Sequence, residues 1–265
     1  MNTSTEPQLA ENSDPRILKI LSYNIQAGID TQRYREYVTK GWKHILPSRE
    51  RMRNLELISK MLHDYDLIGL QEVDSGSLRS NFVDMTEYLA RRAGYPYWYK
   101  QVNRDIGLLA QHSNGFLSRI KPNNVSNHRL PPENGRGAMV LEFGQGREAL
   151  VVVSLHLALS RRQRSRQLDY VRELVGDRQH LIVMGDLNAG CDSAEVRNFI
   201  DRTGMREPVC DQGTFPSWRP VRRIDHILVS ESIPVLRSRV VDYALSDHLP
   251  ISVELELPEE VGLAA

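Results

Sequence analysis

Apolar residues in this chain gather into short runs, and many of the runs end on polar groups. The clearest is HLIVMGDLNAG, residues 180–190. Leu181 to Met184 are continuously apolar, Gly185 breaks the run, and Asp186, Leu187 and Asn188 follow. A short apolar run closed by glycine predicts a buried strand, and glycine frees the backbone where that strand ends. If extended backbone persists past Gly185, Asp186 and Asn188 share a face. Two readings stay open for the pair. Asp and Asn are common turn formers, yet a carboxylate beside an amide at the mouth of a buried sheet is costly to place without a purpose.

The pattern recurs along the chain. Residues 16–25 (RILKILSYNI) predict a strand ending at Tyr23, Asn24 and Ile25. Residues 66–72 (DLIGLQE) predict a second, ending at Gln71 and Glu72. Paired strands are expected over 138–143 and 149–157, joined by a turn at 144–146 and finishing at Ser154, Leu155 and His156. RIDHILVS, residues 223–230, is a strand with Asp225 and His226 near its start. SDHLPISVELEL, residues 246–257, sets Asp247 and His248 just ahead of an alternating strand. The dense aromatics at 95–99 (YPYWY) and the segment SNGFLSR at 113–119 each predict a short strand.

Between these runs the apolar period lengthens to that of a helix. Met52, Leu55, Ile58 and Leu62 mark a helix over 48–63, with Ser48 as cap after Pro47. Residues 82–93 form a second, closed by Gly94. Leu168, Val171, Leu174 and Val175 mark a third over 161–175. Its first turns carry Arg161, Arg162, Arg164 and Arg166, read as a solvated face ahead of a phosphate-steering patch. Asp192 and Glu195 have the spacing of a capping box for a fourth helix ended by Gly204. Prolines and asparagines predict loops at 121–137, and a further loop at 214–220 holds Trp218. The irregular 30–46 stretch mixes Tyr34, Tyr37 and Trp42 with basic residues. It is expected either to line a substrate entrance or to pack as an ordered loop.

Composition narrows the picture. The chain has 265 residues, 40% of them hydrophobic, and 34 basic residues balance 34 acidic ones. That balance gives no sign of a nonspecific nucleic-acid or membrane binder. Two cysteines, Cys191 and Cys210, make neither a disulfide framework nor a zinc cluster. The first 15 residues lack an apolar core, so no secretory signal is expected, and no run has transmembrane length. The expected organisation is a disordered segment over 1–15, one domain over 16–257 and a tail over 258–265, in a cytoplasmic protein. No internal repeat and no linker divide it.

Polar residues at strand ends therefore repeat in six segments: Asn24, Glu72, His156, Asp186 with Asn188, Asp225, and Asp247 with His248. Turns alone do not explain six repeats, and in α/β folds ligand sites collect where strand ends converge. Glu72, Asn24 and Asp247 are hard oxygen donors suited to Mg²⁺ or Mn²⁺. His156 and His248 handle protons or donate to a phosphate. Asp186, Asn188 and Asp225 can hold a water and orient a histidine. These are the parts of metal-assisted phosphate-ester hydrolysis.

In the order SYNI, QEVD, SLHL, GDLN, RIDHILVS and SDHLP, these motifs resemble the endonuclease/exonuclease/phosphatase superfamily of deoxyribonuclease-I-like phosphoesterases. The resemblance covers about residues 16–257. It implies an α/β fold, a four-layer α/β/β/α sandwich of two mixed β-sheets flanked by helices, with the site at one end of the sheets. It further implies Glu72 as main metal ligand, supported by Asn24 and Asp247, with Mg²⁺ as the chief metal. His156 would contact the scissile phosphate, Asp186 and Asn188 would position or activate water, and Asp225 would pair with His248. Both Asp186 and His248 stay open as the group that takes the water's proton. Asn114 and Trp218 are candidate substrate contacts. The implied partner is a phosphodiester, either nucleic acid or a phospholipid or small molecule, with no obligate protein partner indicated. A phosphomonoesterase, or a non-catalytic binding protein on the same scaffold, are the alternatives.

Overall fold

The structure, a computed structural model, describes residues 16–28, 49–105, 107, 111–132, 135–209 and 211–262. The apolar runs become strands because extended chain sends alternate residues to opposite faces, and here both faces are covered. In β7 (Leu150–His156), Leu150 and Val152 face one core while Val151, Val153 and Leu155 face another. In β8 (His180–Asp186), Ile182 and Met184 join the first core, and Leu181 and Val183 the second.

Among the described residues twelve strands form two six-stranded sheets. The first contains β1 (Ile17–Asn24), β2 (Leu67–Asp74), β3 (Tyr97–Asp105), β4 (Gln111–Ser118), β11 (Val235–Val240) and β12 (Ile251–Glu256), in the order β11-β12-β1-β2-β4-β3. The second adds β5 (Asn124–Arg129), β6 (Gly137–Phe143), β9 (Met205–Arg206) and β10 (Asp225–Ser230) to β7 and β8, in the order β5-β6-β7-β8-β10-β9. Each sheet is antiparallel except for one central parallel pair, β1 with β2 and β7 with β8. The shared core of Leu18, Ile20, Phe116, Ile182, Met184 and Ile227 joins the sheets face to face. Helices α1 (Arg49–Leu62) and α2 (Met85–Ala93) cover the first sheet through Leu55, Ile58 and Leu89. Helices α3 (Arg161–Val175) and α4 (Ala194–Thr203) cover the second through Leu168, Val171, Val196 and Phe199. The result is the four-layer sandwich that the sequence resemblance implies.

Several local expectations are corrected. The 121–137 loop contains β5, and β11 occupies a segment that has no apolar alternation. Both are half-exposed sheet edges, where polar residues leave no hydrophobic period to read. The aromatic strand at 95–99 starts later and runs to Asp105, while Tyr95 donates its hydroxyl to Leu62 O and Tyr65 O, both at 2.6 Å. The helix expected over 82–93 starts at Met85, capped by the Asp84 carboxylate. No capping box forms on α4: Ser193 is its N-cap, and Glu195 turns instead to Arg164, 2.7 Å away. Arg164 is therefore buried, not solvated; it also donates to Ala158 O and Leu159 O, just past β7. The 30–46 stretch, the Pro47–Ser48 cap, the 1–15 segment and Cys210 lie outside the described residues.

The C-terminal ends of the two parallel pairs meet at one end of the sandwich. Gly185 enables that closure. Its φ is +141°, and a Cβ there would sit 1.9 Å from Leu155 O. Gly185→Ala is expected to cost roughly 3 kcal/mol or more, the joint scale of overpacking and backbone strain. A thermal melt within a degree of wild type would contradict this.

Candidate active site

Alternation carries the polar groups to one place. Continuing the face of Leu18 and Ile20 in β1 leads to Ser22 and Asn24; the face of Val152 leads to His156; the face of Met184 leads to Asp186; and Ile227 shares its face with Asp225. The site is thus the polar end of the apolar core between the sheets. Glu72 is the exception. By alternation with Ile68 and Leu70 it belongs on the helix side. A bulge between Leu70 and Val73 and a left-handed φ of 55° at Glu72 break the alternation. Bulges re-aim side chains in this way, and Glu72 comes within electrostatic reach of Asp186 and Asp247.

Asp186 is the hub. Its Oδ2 accepts from Asn24 Nδ2 at 3.1 Å, joining the two sheets, and lies 3.4 Å from His156 Nε2 and 3.9 Å from His248 Nε2. Its Oδ1 accepts from the Asn188 backbone at 2.8 Å. The strand ends at Asp186, and Asn188 has a φ of 54°. Of the two open readings, the turn holds: closed by the Asp186 carboxylate, it carries Asn188 back into the site. Asn188 Nδ2 donates to Leu157 O at 2.9 Å and lies 3.2 Å from His156 Nε2. Turn and site readings describe the same residues.

Asp225 stands opposite Asp186 in the β8–β10 ladder. Like charges so placed repel, and His248 lies against both. Its Nδ1 is 2.8 Å from Asp225 Oδ2, which also accepts from Thr214 Oγ1 at 2.6 Å. Asp225 Oδ1 is buried with no hydrogen-bond partner among the described residues. Phe215 packs its ring 4.9 Å from the imidazole. Asp247 Oδ1 is 4.0 Å from His248 Nε2 and accepts from Ser246 Oγ, which also donates to Asn24 O at 2.7 Å.

Burial is the largest influence on these groups, and the charges decide the sign. It raises Asp186, with Asp225 and Glu72 adding to it, to about 7 despite His248 and the Asn188 N–H. It raises Asp247 to about 6, against the pull of His248. Burial lowers His248, but Asp225, Asp186 and Asp247 outweigh it and raise the imidazole to about 10. His156 is pushed well below its ordinary value by burial, then by Arg136, His248 and His112. His248 is thus held as a cation and His156 as a neutral ring.

The remaining candidates sit differently. Asn114 is buried on the inter-sheet face of β4, and its amide donates to Gly137 O at 3.2 Å. Trp218 is half-buried in a loop tied to the site through its neighbour Ser217, which donates to Asp247 O and Ser246 O; among the described residues it makes no hydrogen bond or ring stack. Arg136 escapes the sequence reading. It is half-buried and within electrostatic reach of Glu72 and Asp186; its carbonyl accepts from Leu130 N at 3.0 Å, while its guanidinium makes no hydrogen bond or ion pair among the described residues. Burial lowers its guanidinium against the raising effect of those carboxylates. Its signal in sequence was one arginine in an Asn-Gly-Arg-Gly loop. Thr214 and Ser246, which orient Asp225 and Asp247, are as inconspicuous.

The donor set fits a hard divalent cation. Glu72, Asp186 and Asp247 supply carboxylate oxygens within electrostatic reach of one another, whereas Asn24 turns its Nδ2 to Asp186 and its Oδ1 accepts from Gln26 N at 3.1 Å. Asp186 and Asp247 are raised chiefly by burial and then by neighbouring carboxylates, a surplus of negative charge that a cation would relieve. One ligand atom each of Asp186, Asp225 and His248 lies within 4.8 Å of the others. His248 Nδ1 is already engaged by Asp225, so that ring serves better as a cationic group than as a ligand.

Residues 21–248 match the model of the Endonuclease/Exonuclease/phosphatase family. No match is found among curated proteins. Solved structures share the fold. An endonuclease/exonuclease/phosphatase from Beutenbergia cavernae is 20% identical, with a TM-score of 0.70 over 91% of this chain and 72% of that one. A mannosyl-6-phosphatase from Bacteroides thetaiotaomicron is 19% identical, with a TM-score of 0.67 over 90% and 99%. The human Nocturnin catalytic domain with bound sulfate is 19% identical, with a TM-score of 0.67 over 93% and 96%.

Proposed function

The chain belongs to the endonuclease/exonuclease/phosphatase family, and from that premise we propose that it hydrolyses phosphodiester bonds with the help of Mg²⁺ or Mn²⁺. Members of the family are hydrolases acting on phosphoesters. The observation that carries the reading is the convergence on Asp186: Asn24, His156, Asn188 and His248 reach it from both sheets within 4 Å. Glu72, Asn24 and Asp247 would hold the cation. When bound, it would supply positive charge at the phosphate's nonbridging oxygen and orient the ester.

The side chains divide the remaining work. Asn188 and Asp186 hold the attacking water. Asp186, which accepts from the Asn188 N–H and lies within 4 Å of both histidines, suits the role of proton acceptor. His248 does not, because Asp225 keeps its ring protonated; it faces the phosphate as a cation and donor. Neutral His156 donates to or orients the phosphate. Arg136, whose guanidinium has no hydrogen-bond partner among the described residues, takes a phosphate oxygen.

The test is turnover of bis(p-nitrophenyl) phosphate against p-nitrophenyl phosphate in Mg²⁺, with Asp186→Asn as control. The diester is expected to be cleaved faster, and Asp186→Asn to lower kcat by about 10²-fold or more. Cleavage of neither ester by folded protein would overturn the proposal. A preference for the monoester would favour a phosphomonoesterase, the reading supported by the fold's likeness to the mannosyl-6-phosphatase. The balanced charge of 34 basic and 34 acidic residues favours a small-molecule or phospholipid diester over long nucleic acid.

A further inference from the structure

His226 follows Asp225 but points the other way. Asp225 shares the inter-sheet face with Ile227, whereas His226 shares the helix-side face with Leu228. It is completely buried, and both ring nitrogens are engaged. Nε2 lies 2.7 Å from Ala189 O, and Nδ1 lies 2.5 Å from Glu207 Oε1, itself a buried side chain. A carbonyl only accepts, so Nε2 carries a proton and donates it. A buried imidazole–carboxylate pair is costly to desolvate and adds little stability by itself. Its placement suggests another use.

Ala189 directly follows Asn188, whose left-handed backbone is sparsely populated and has to be held. The turn is fixed on its site side by Asn188 N on Asp186 Oδ1, and in the ladder by Leu187 N on Ile224 O at 2.8 Å. The contact from His226 fixes the far side, at the carbonyl of the Ala189–Gly190 peptide, one unit past Asn188. We infer that His226, braced by Glu207, is a positioning residue that latches Ala189 O and so fixes where the Asn188 amide sits against His156 and the attacking water. It touches no reacting atom. The inference rests on the role given to Asn188 in the proposed hydrolysis.

Two substitutions separate a latch from a filler of space. Gln can place an amide N–H close to the position of Nε2; Leu fills similar volume and donates nothing. With bis(p-nitrophenyl) phosphate in Mg²⁺ and kcat counted per folded molecule by circular dichroism, His226→Leu is expected to lower kcat about 10- to 100-fold, the range for groups that orient a site residue, with KM within about twofold. His226→Gln is expected to recover kcat to within about threefold of wild type. Because both lose the Glu207 pair, both melt lower than wild type; only kcat distinguishes them. In an Asn188→Ala background His226→Leu should cost less than about twofold more, as for groups acting through one another. Equal kcat losses for Leu and Gln, or losses that multiply with Asn188→Ala, would overturn the latch. So would wild-type kcat in His226→Leu beside an impaired Asn188→Ala, and this outcome leaves the proposed hydrolysis standing. Wild-type kcat in Asn188→Ala would remove the role of Asn188, and the catalytic meaning of the latch with it.

Discussion

Asp225→Asn is expected to lower kcat nearly as far as His248→Ala does, each by about 10²–10⁴-fold, with the double variant little worse than either. The geometry gives the reason. Asp225 Oδ2 is 2.8 Å from His248 Nδ1 and fixes which ring nitrogen faces the site, Nε2, 3.9 Å from Asp186 and 4.0 Å from Asp247. It also supplies the largest of the effects that raise the ring to about 10 against burial. An amide at position 225 keeps the shape and Thr214 as neighbour but removes the charge. The imidazole pKa must then fall. If the protonated ring is what serves the phosphate, the alkaline limb of the kcat/KM profile moves to lower pH in Asp225→Asn. A limb that stays in place, or losses that multiply in the double variant, would mean the two residues act separately. Circular dichroism should report folded protein throughout, because the core between the sheets consists of apolar strands.

Much of this site was legible before any coordinates. Asn24, His156, Asp186 and Asp225 continue the alternation of strands whose apolar halves build the core, so one periodicity specifies both core and site. Glu72 was legible from its motif but not from alternation, since its direction depends on a bulge that no apolar pattern encodes. For Asn188 the sequence leaves a turn and an extended continuation both open, because the choice is made by a closing contact from the Asp186 side chain, a local competition that propensity does not resolve. The edge strands β5 and β11 were missed because half-exposed strands carry no alternation. Arg136, Thr214 and Ser246 were missed for another reason. Their partners are set by the folded geometry, as with Thr214 on Asp225 and Ser246 on Asn24 O, and each sits in a loop of ordinary composition. Glu195 shows the converse error: its spacing matches a capping box, but a buried arginine on the preceding helix, Arg164, claims it.

Chelation is expected to abolish turnover, and Mg²⁺ or Mn²⁺ to restore it, while the circular dichroism spectrum is unchanged. The fold closes on apolar strands and helices in three cores and needs no ion to do so. The site needs one. Glu72, Asp186, Asp225 and Asp247 crowd one end of the sandwich, and His248 and Arg136 do not cancel them. A divalent cation relieves that repulsion, so thermal stability should rise with added metal, by about 2.7 kcal/mol at a hundredfold excess over Kd. Protons compete for the same oxygens. Asp186 titrates at about 7 and Asp247 at about 6 in the metal-free chain, so affinity should weaken as pH falls through that window. Glu72→Gln retains the side chain's shape and one oxygen but loses a charge, and the metal-titration midpoint should rise about 10- to 100-fold or more. An unchanged midpoint would remove Glu72 from the ligand set while leaving the other carboxylates in it. Full turnover in the presence of excess chelator would remove the cation from the mechanism altogether.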